Sequence, residues 1–155
     1  MLVEPVGEPV ALETMKTRAE AIAQLLATAL DRENYTTALQ LLAEDCVYLF
    51  RGERIEDPAK IISMYQSNGD AGRETYDEIH YVSRVEPQGN GKARIHYTDS
   101  ITLKGETHVH RCLQEIAVDD GGKVARIVHV DLEGEAERLS AFNNRHGISK
   151  GEGEV

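Results

Sequence analysis

The stretch KARIHYTDSITLKGETHVHRCLQEIAVDDGGKVARIVHVDL, from Lys92 to Leu132, has the pattern of successive β-strands. Polar and apolar residues alternate through most of it, and a strand turns successive side chains to opposite faces. Two short breaks, Lys104-Gly105 and Asp119–Gly122, contain the residues that tight turns favour. The stretch therefore predicts an antiparallel meander. Its strands are placed at Lys92–Leu103, Glu106–Val118 and Lys123–Leu132.

The lengths of the two turns predict how these strands pair. A two-residue first turn places Asp99 opposite His110. A four-residue second loop places Asp131 beside His110, and it places His129 beside Cys112. One face of the sheet is then predicted to carry Ile95, Tyr97, Asp99, His110, Cys112, Gln114, Ile127, His129 and Asp131.

A row of aspartate, histidine and aspartate across three strands predicts an acid/base group. Buried charge is costly unless it is paired, and such arrangements are typical of functional sites. His110 or His129 would serve as the base near neutral pH, oriented by Asp99 or Asp131. Candidates for binding a substrate come from the same face and from the short strand Cys46–Phe50. They are Tyr48, Phe50, Tyr97, Cys112, Gln114 and Ile127.

The N-terminal part of the chain has helical periodicity. One helix is predicted from Ala11, and after a break a second one extends to about Leu42. Asp57 and Pro58 are typical of the start of a third helix, and Gly69 is typical of its end. The meander begins with a further strand near Thr75–Glu86, and a short helix follows its last strand. Helices followed by a meander predict an α+β fold, with the helices packed on one face of a curved sheet.

The length of 155 residues suits one domain. We expect it to span residues 11–146, between a flexible tail at 1–10 and a flexible acidic tail at 147–155. A net charge of −10 argues against nucleic acid and against anionic membrane as partners. The chain shows neither a signal peptide nor an apolar run of about 18 residues, so we expect a cytoplasmic protein.

Two other kinds of chemistry are suggested by the HVH segment (108–110) and the residues that follow it. His108, His110 and Glu115 match part of the cupin metal motif, but in a straight strand Glu115 points away from both histidines. We therefore predict no metal and no other cofactor, and the alternative left open is a divalent ion held by His110, His129 and one aspartate. Cys112 lies beside a histidine in the predicted register and is a candidate nucleophile, although a lone cysteine within a strand is more often inert. Cys46 and Cys112 are both expected to be free thiols.

Three segments resemble the nuclear transport factor two-like superfamily, and within it the SnoaL-like and ketosteroid-isomerase-like branch. They are ALQLLAEDCVYLF (38–50), DPAKIISMYQ (57–66) and GGKVARIVHVDLEGEAERLSAF (121–142). The resemblance covers roughly residues 12–146. It implies a cone-shaped fold that encloses a pocket between helices and sheet, and a homodimer formed through the outer face of the sheet.

The residues of the isomerases are matched only in part. Phe50 stands where they have a general-base aspartate, and Leu26 stands near their oxyanion tyrosine. Gln114 stands at the position of their oxyanion acid and can still donate a hydrogen bond. His129 and Asp131 match pocket-lining positions of the last strand. The resemblance therefore implies a ligand pocket but not steroid isomerase activity.

Some SnoaL-like cyclases use an acid/base carboxylate deep in the sheet, a role that Asp99 or Asp131 would fill here. The leading hypothesis is a lyase- or isomerase-type acid/base reaction on a small, partly apolar metabolite. The alternative left open is a non-catalytic ligand-binding or scaffold domain with the same cavity.

Overall fold

A computed structural model of the chain describes residues 7–148, with side chains from residue 18 onward. Of the predicted tails at 1–10 and 147–155, residues 1–6 and 149–155 lie outside the described residues. The assignment of residues 7–10 to a tail is wrong, because the first helix already begins at Gly7. The helices are α1 (Gly7–Asp31), α2 (Tyr35–Leu41), α3 (Pro58–Thr75) and α4 (Glu135–Arg145). The strands are β1 (Leu42–Phe50), β2 (Glu53–Glu56), β3 (Glu78–Gly89), β4 (Lys92–Leu103), β5 (Glu106–Val118) and β6 (Val124–Asp131). None of the helices within residues 7–148 is long and apolar enough to cross a membrane.

The strands form one curved sheet in the order β2-β1-β6-β5-β4-β3. Strands β3 to β6 form the predicted antiparallel meander. Strand β1 lies parallel to β6, so the sheet as a whole is mixed rather than purely antiparallel. Parallel neighbours need a long crossover connection, and here α3 and the meander provide it. The predicted α+β fold, with helices on a curved sheet, is confirmed.

Helix α3 begins as predicted but ends later. Asp57 is its N-cap, with a side-chain oxygen accepting a hydrogen bond from the Ala59 amide at 3.0 Å. The predicted end at Gly69 is wrong, since the helix continues to Thr75. A Cβ at Gly69 would lie 2.9 Å from the hydroxyl oxygen of Tyr35. The glycine is therefore explained by a close approach between α3 and α2, not by a helix end.

The predicted register between β4 and β5 is confirmed. Asp99 lies opposite His110, and the turn between the strands has two residues. Both turn residues, Lys104 and Gly105, have positive φ angles of 51° and 83°. This is the backbone conformation that a two-residue hairpin requires, and glycine adopts it without strain.

The predicted register between β5 and β6 is wrong by two residues. Asp131 lies opposite Cys112, and His129 lies opposite Gln114, each two positions further along β5 than expected. The pairing is irregular just after Ala117, close to the loop, and this irregularity changes the register. A shift of two residues keeps every side chain on its predicted face but gives it different neighbours.

The inner face of the sheet supports two apolar clusters. The larger cluster lies beneath α1, α2 and α3 and includes Ile127, whose side chain is fully buried. The smaller cluster joins α4 to the C-terminal end of β4 and to the start of β3. Its buried members are Tyr76, Ile101, Leu103, Leu139 and Phe142. Helix α4 therefore covers the inner face of the sheet at the last residues of β4, those that follow Asp99.

Candidate functional site

A cavity of about 600 Å³ lies between the helices and the inner face of the sheet. Its wall crosses the sheet from β3 to β1, and α1, α2 and α3 contribute residues from the other side. Five tyrosines line it: Tyr35, Tyr48, Tyr65, Tyr81 and Tyr97. Two carboxylates, Asp31 and Asp99, also line it. A volume of this size and a wall rich in tyrosine are typical of small-molecule sites.

The cavity brings together most of the side chains that the sequence suggested. Those that line it are Tyr48, Phe50, Tyr97, Asp99, Cys112, Gln114 and His129. The others do not line it. Ile127 is buried in the larger core, His110 lies beside α4, and Asp131 is exposed and ion-paired. The predicted row of Asp99, His110 and Asp131 is therefore not formed, because the β5–β6 register differs and because α4 covers His110.

Asp99 is the most unusual group in the cavity. The residue is 9% exposed. Among residues 18–148 no side chain or amide donates a hydrogen bond to its carboxyl group. Burial, and then the negative charge of Asp31, raise the pKa of Asp99 from 3.8 to about 7. A carboxyl group with this pKa is half ionised near neutral pH, where it is effective both as an acid and as a base.

Asp31 is a second carboxyl group at the same end of the cavity. It is the last residue of α1, and one of its oxygens accepts a hydrogen bond from the Ser83 hydroxyl at 2.6 Å. The other oxygen is buried and has no partner within the described part of the chain. Burial raises the pKa of Asp31 despite that bond. The negative end of the α1 dipole further disfavours its charge, so the two aspartates together favour retaining a proton.

Two tyrosines stand next to Asp99. Tyr81 lies directly opposite it on β3, and Tyr97 precedes it by two residues on the same face of β4. Both hydroxyl groups are buried without a hydrogen-bond partner among the residues described. Burial raises the pKa of Tyr81 to about 12 and raises that of Tyr97 well above its usual value. Both tyrosines therefore keep their protons and are available as donors to a ligand.

Gln114 is the centre of a second polar group in the cavity. It is 3% exposed, and its amide oxygen accepts a hydrogen bond from the Tyr65 hydroxyl at 2.6 Å. Its amide nitrogen donates to the Tyr48 hydroxyl oxygen at 3.1 Å and lies 3.3 Å from Nδ1 of His129. The amide thus connects β5 to α3, β1 and β6, and its hydrogen-bonding capacity is used.

His129 continues this second group toward the rim of the cavity. Its Nε2 lies 3.1 Å from an oxygen of Asp131, and Asp131 accepts from Arg51 at 2.7 Å. Burial lowers the pKa of His129, although the bond to Asp131 opposes the shift. The hydrogen bond from Arg51 is the main reason that the pKa of Asp131 is low. His129 is therefore neutral at pH 7, and both of its ring nitrogens are engaged.

The HVH segment supports α4. The ring of His108 stacks on that of Phe142, with centroids 5.2 Å apart. Nδ1 of His110 lies 3.7 Å from the carboxylate of Glu135 at the start of α4. Burial lowers the pKa of both histidines. Within residues 18–148 no three side chains of His, Cys, Asp or Glu are grouped so that they could hold a metal ion.

Cys112 lines the cavity but lacks what a nucleophile needs. The observed register places His129 beside Gln114, so the expected histidine base is not the neighbour of the thiol. Burial, and then nearby carboxylates including Asp99, raise the pKa of Cys112 to about 12. The thiol is therefore protonated at neutral pH, when only a thiolate is strongly nucleophilic. Cys46 and Cys112 are both free, as expected.

Twelve of the nineteen residues that line the cavity were not among the predicted site residues, and four of these twelve carry polar groups discussed above: Asp31, Arg51, Tyr65 and Tyr81. Two of these four had a usable signal. Tyr65 follows the buried Ile61 by one helical turn, and Tyr81 falls on the same face of β3 as most apolar residues of that strand. The other two had none, because an aspartate at a helix end and an arginine in a turn are ordinary surface features.

Comparison with known proteins gives neighbours in structure alone. No protein-family model matches the chain, and no curated protein matches it. A "putative polyketide cyclase" of Xanthomonas campestris pv. campestris is 20% identical, covers 74% of this chain and 90% of its own, and has a TM-score of 0.59. A "putative ketosteroid isomerase" of Kribbella flavida is 23% identical, with 74% and 77% covered and a TM-score of 0.56.

A second "putative polyketide cyclase", from Pseudomonas putida KT2440, is 17% identical, with 76% and 93% covered and a TM-score of 0.54. Each of the three neighbours covers about three quarters of this chain, and this chain in turn covers most of each neighbour. At these identities the likeness establishes the fold and leaves the chemistry open. The resemblance inferred from the sequence is confirmed at the level of the fold.

Proposed function

Because the chain has the fold of the nuclear transport factor two-like superfamily, we propose that its cavity binds a small, partly apolar molecule on which Asp99 acts as a general acid and base. The observation that supports this most directly is the state of the Asp99 carboxyl group. It is buried, faces the cavity without a hydrogen-bond partner among the described side chains, and has a pKa of about 7. Carboxyl groups tuned in this way are typical of proton-transfer catalysis.

The chemistry that fits is removal of a proton from carbon next to a carbonyl group. The Asp99 carboxylate takes the proton, the C–H bond breaks, and the electron pair moves onto the carbonyl oxygen as an enolate. The hydroxyl groups of Tyr81 or Tyr97 donate hydrogen bonds to that oxygen as its charge develops. Protonated Asp99 then returns the proton to a carbon, or gives it to a departing hydroxyl group, which makes the reaction an isomerisation or an elimination.

The names of the structural neighbours favour a ketone as substrate. Two are called polyketide cyclases and one a ketosteroid isomerase, and the compounds in both names contain ketones. The five tyrosines and the apolar wall suit a molecule of one to three rings. We therefore take enolisable ketones as the substrate class to test.

An exchange assay tests this proposal without knowledge of the natural substrate. The wild-type protein is incubated in D₂O with cyclic and aromatic ketones, and deuterium in the recovered ketone is measured by mass spectrometry. We expect enzyme-dependent exchange whose rate rises as pH increases through about 7, where Asp99 becomes ionised. Asp99→Asn is the matched control. Absence of exchange for every ketone that binds would refute catalysis by this group.

The second candidate is binding without turnover, which the Gln114 group favours. Its hydrogen bonds are satisfied within the protein and hold one wall of the cavity in a fixed arrangement. Such a wall suits recognition as well as catalysis. A ketone that binds the protein but undergoes no exchange would favour this candidate over the first.

We further propose that the chain forms a homodimer through the outer face of the sheet. Four half-buried apolar side chains lie together there on three adjacent strands: Leu49, Leu113, Val128 and Val130. Contiguous apolar surface of this kind is typical of an interface. Light scattering at micromolar concentration should give the mass of a dimer for the wild type and of a monomer for Leu113→Asp. Ser63→Asp, on an exposed position of α3, should remain dimeric. A wild-type monomer would contradict the proposal.

A further inference from the structure

A continuous chain of hydrogen bonds runs from the rim of the cavity to its interior. The guanidinium group of Arg51 donates to Asp131 through Nε at 2.7 Å and through a terminal nitrogen at 3.1 Å. Asp131 contacts Nε2 of His129 at 3.1 Å, and Nδ1 of His129 contacts the amide nitrogen of Gln114 at 3.3 Å. The same amide nitrogen contacts the hydroxyl oxygen of Tyr48 at 3.1 Å.

The first partner fixes the direction of every later bond. Arg51 is always charged and only donates, and the ionised carboxylate of Asp131 only accepts. Nε2 of His129 must therefore carry the ring proton and donate it to Asp131. In the neutral ring, Nδ1 is then an acceptor. Gln114 must turn its NH₂ group, rather than its oxygen, toward His129.

The orientation of Gln114 in turn decides what Tyr48 can do. The second N–H of the amide donates to the Tyr48 oxygen, and the amide oxygen is occupied by the Tyr65 hydroxyl. Tyr48 is buried against the cavity. Its hydroxyl group accepts from Gln114 and has no acceptor for its own proton within residues 18–148. Its O–H group is consequently left as a donor for whatever fills the cavity.

We infer that His129 and Asp131 are positioning residues that hold the Gln114 amide in one orientation, so that the Tyr48 hydroxyl donates to an uncharged acceptor oxygen of the ligand. This inference rests on the proposed ligand-binding function. Asp99 lies on β4 and Tyr48 on β1, three strand spacings or roughly 14 Å apart across the sheet. The strand registers align Tyr48 with Ala93, so Asp99 is also displaced from Tyr48 along the direction of the strands. The preferred ligand is thus an elongated molecule with a carbonyl or ether oxygen at the Tyr48 end and the reacting carbon at the Asp99 end.

The state of His129 can be tested on the protein alone by ¹⁵N NMR of the histidine rings. We expect the wild type at pH 7 to have its proton on Nε2. In Asp131→Asn, the asparagine oxygen should accept from Arg51 and its NH₂ group should face His129, so the proton should move to Nδ1. Asp120→Asn, in the exposed β5–β6 loop, removes the same charge and should leave the tautomer unchanged. A proton on Nδ1 in the wild type, or an unchanged tautomer in Asp131→Asn, would overturn the inference.

The ligand preference can be tested with a matched pair of probes of nearly equal shape, 2-acetylnaphthalene and 2-isopropylnaphthalene. The ratio of their dissociation constants measures the contribution of the acceptor oxygen. We expect the preference for the ketone to fall about fivefold in Tyr48→Phe and to fall similarly in Asp131→Asn, the size of one neutral hydrogen bond. A ratio that is unchanged in both variants would refute the subsite.

The two proposals can fail separately. Deuterium exchange that depends on Asp99, together with an unchanged probe ratio, would refute only the subsite at Tyr48. A ratio that changes as expected, without exchange of any ketone, would support the subsite and refute catalysis by Asp99. Asp120→Asn serves again as the control and should keep the wild-type ratio.

Discussion

Replacing Asp99 with asparagine is expected to slow ketone exchange by about 10²- to 10⁴-fold, the usual contribution of a general acid or base. The same substitution should also stabilise the fold above neutral pH. An uncharged amide of the same shape has no cost of ionisation within the cavity, where Asp99 is 9% exposed and its carboxyl group finds no hydrogen-bond donor among residues 18–148. A gain in stability accompanied by a loss of activity is the signature of a strained functional group.

The dependence of this effect on pH follows from the two pKa values of Asp99. The carboxyl group has a pKa near 3.8 in the unfolded chain and about 7 in the folded protein. Between these values the folded state binds more protons than the unfolded state, so wild-type stability falls as pH rises and levels off above about 7. The advantage of Asp99→Asn in the free energy of unfolding should therefore grow by roughly 2–3 kcal/mol from pH 5 to pH 8.

Urea denaturation of both proteins at the two pH values measures this growth directly. Asp31→Asn is the informative companion, because removing its charge should lower the pKa of Asp99 and reduce the stability gap. Asp77→Asn, which changes an exposed aspartate that accepts from the Lys104 amide, should not alter the pH dependence. If wild type and Asp99→Asn differ by the same amount at both pH values, Asp99 does not have a raised pKa.

The sheet face on which a side chain lies could be predicted from the sequence more reliably than the residues that lie next to it on the adjacent strands. Alternation fixes which side chains point inward, and this parity survives a shift of two residues in the register. Asp99, Gln114 and His129 were therefore assigned to the correct face, although His129 was paired with Cys112 instead of Gln114. The irregularity after Ala117 has no signal in the sequence, because it depends on how the loop closes against β6.

The parts of the site that could not be predicted depend on contacts between distant segments. Gly69 has the features of a helix end, and only the approach of Tyr35 explains it as a packing residue. Asp31 becomes a cavity residue because the end of α1 lies against Ser83 of β3. Arg51 reaches the cavity because β1 lies parallel to β6, next to Asp131. Each of these features depends on a tertiary contact between distant segments, which local sequence patterns do not reveal.

Replacing Phe142 with alanine is expected to cost about 3–5 kcal/mol in the free energy of unfolding. The ring is fully buried and is the centre of the smaller core. It lies 5.2 Å from the ring of His108, 4.8 Å from that of His146 and 6.4 Å from that of Tyr76. Its removal leaves a cavity beneath α4 that neighbouring side chains fill only in part. Ser140→Ala, at an exposed position of the same helix, should change stability by less than about 0.5 kcal/mol.

The same variant separates the structural histidines from the chemistry proposed for Asp99. Burial against Phe142 contributes to the lowered pKa of His108, so His108 in Phe142→Ala should titrate at a higher pH by NMR. Ketone exchange by the fraction that remains folded should nevertheless be close to that of the wild type, because neither His108 nor Phe142 lines the cavity. A large loss of exchange in folded protein would instead mean that the HVH segment takes part in the reaction. A normal rate would assign the segment to the support of α4.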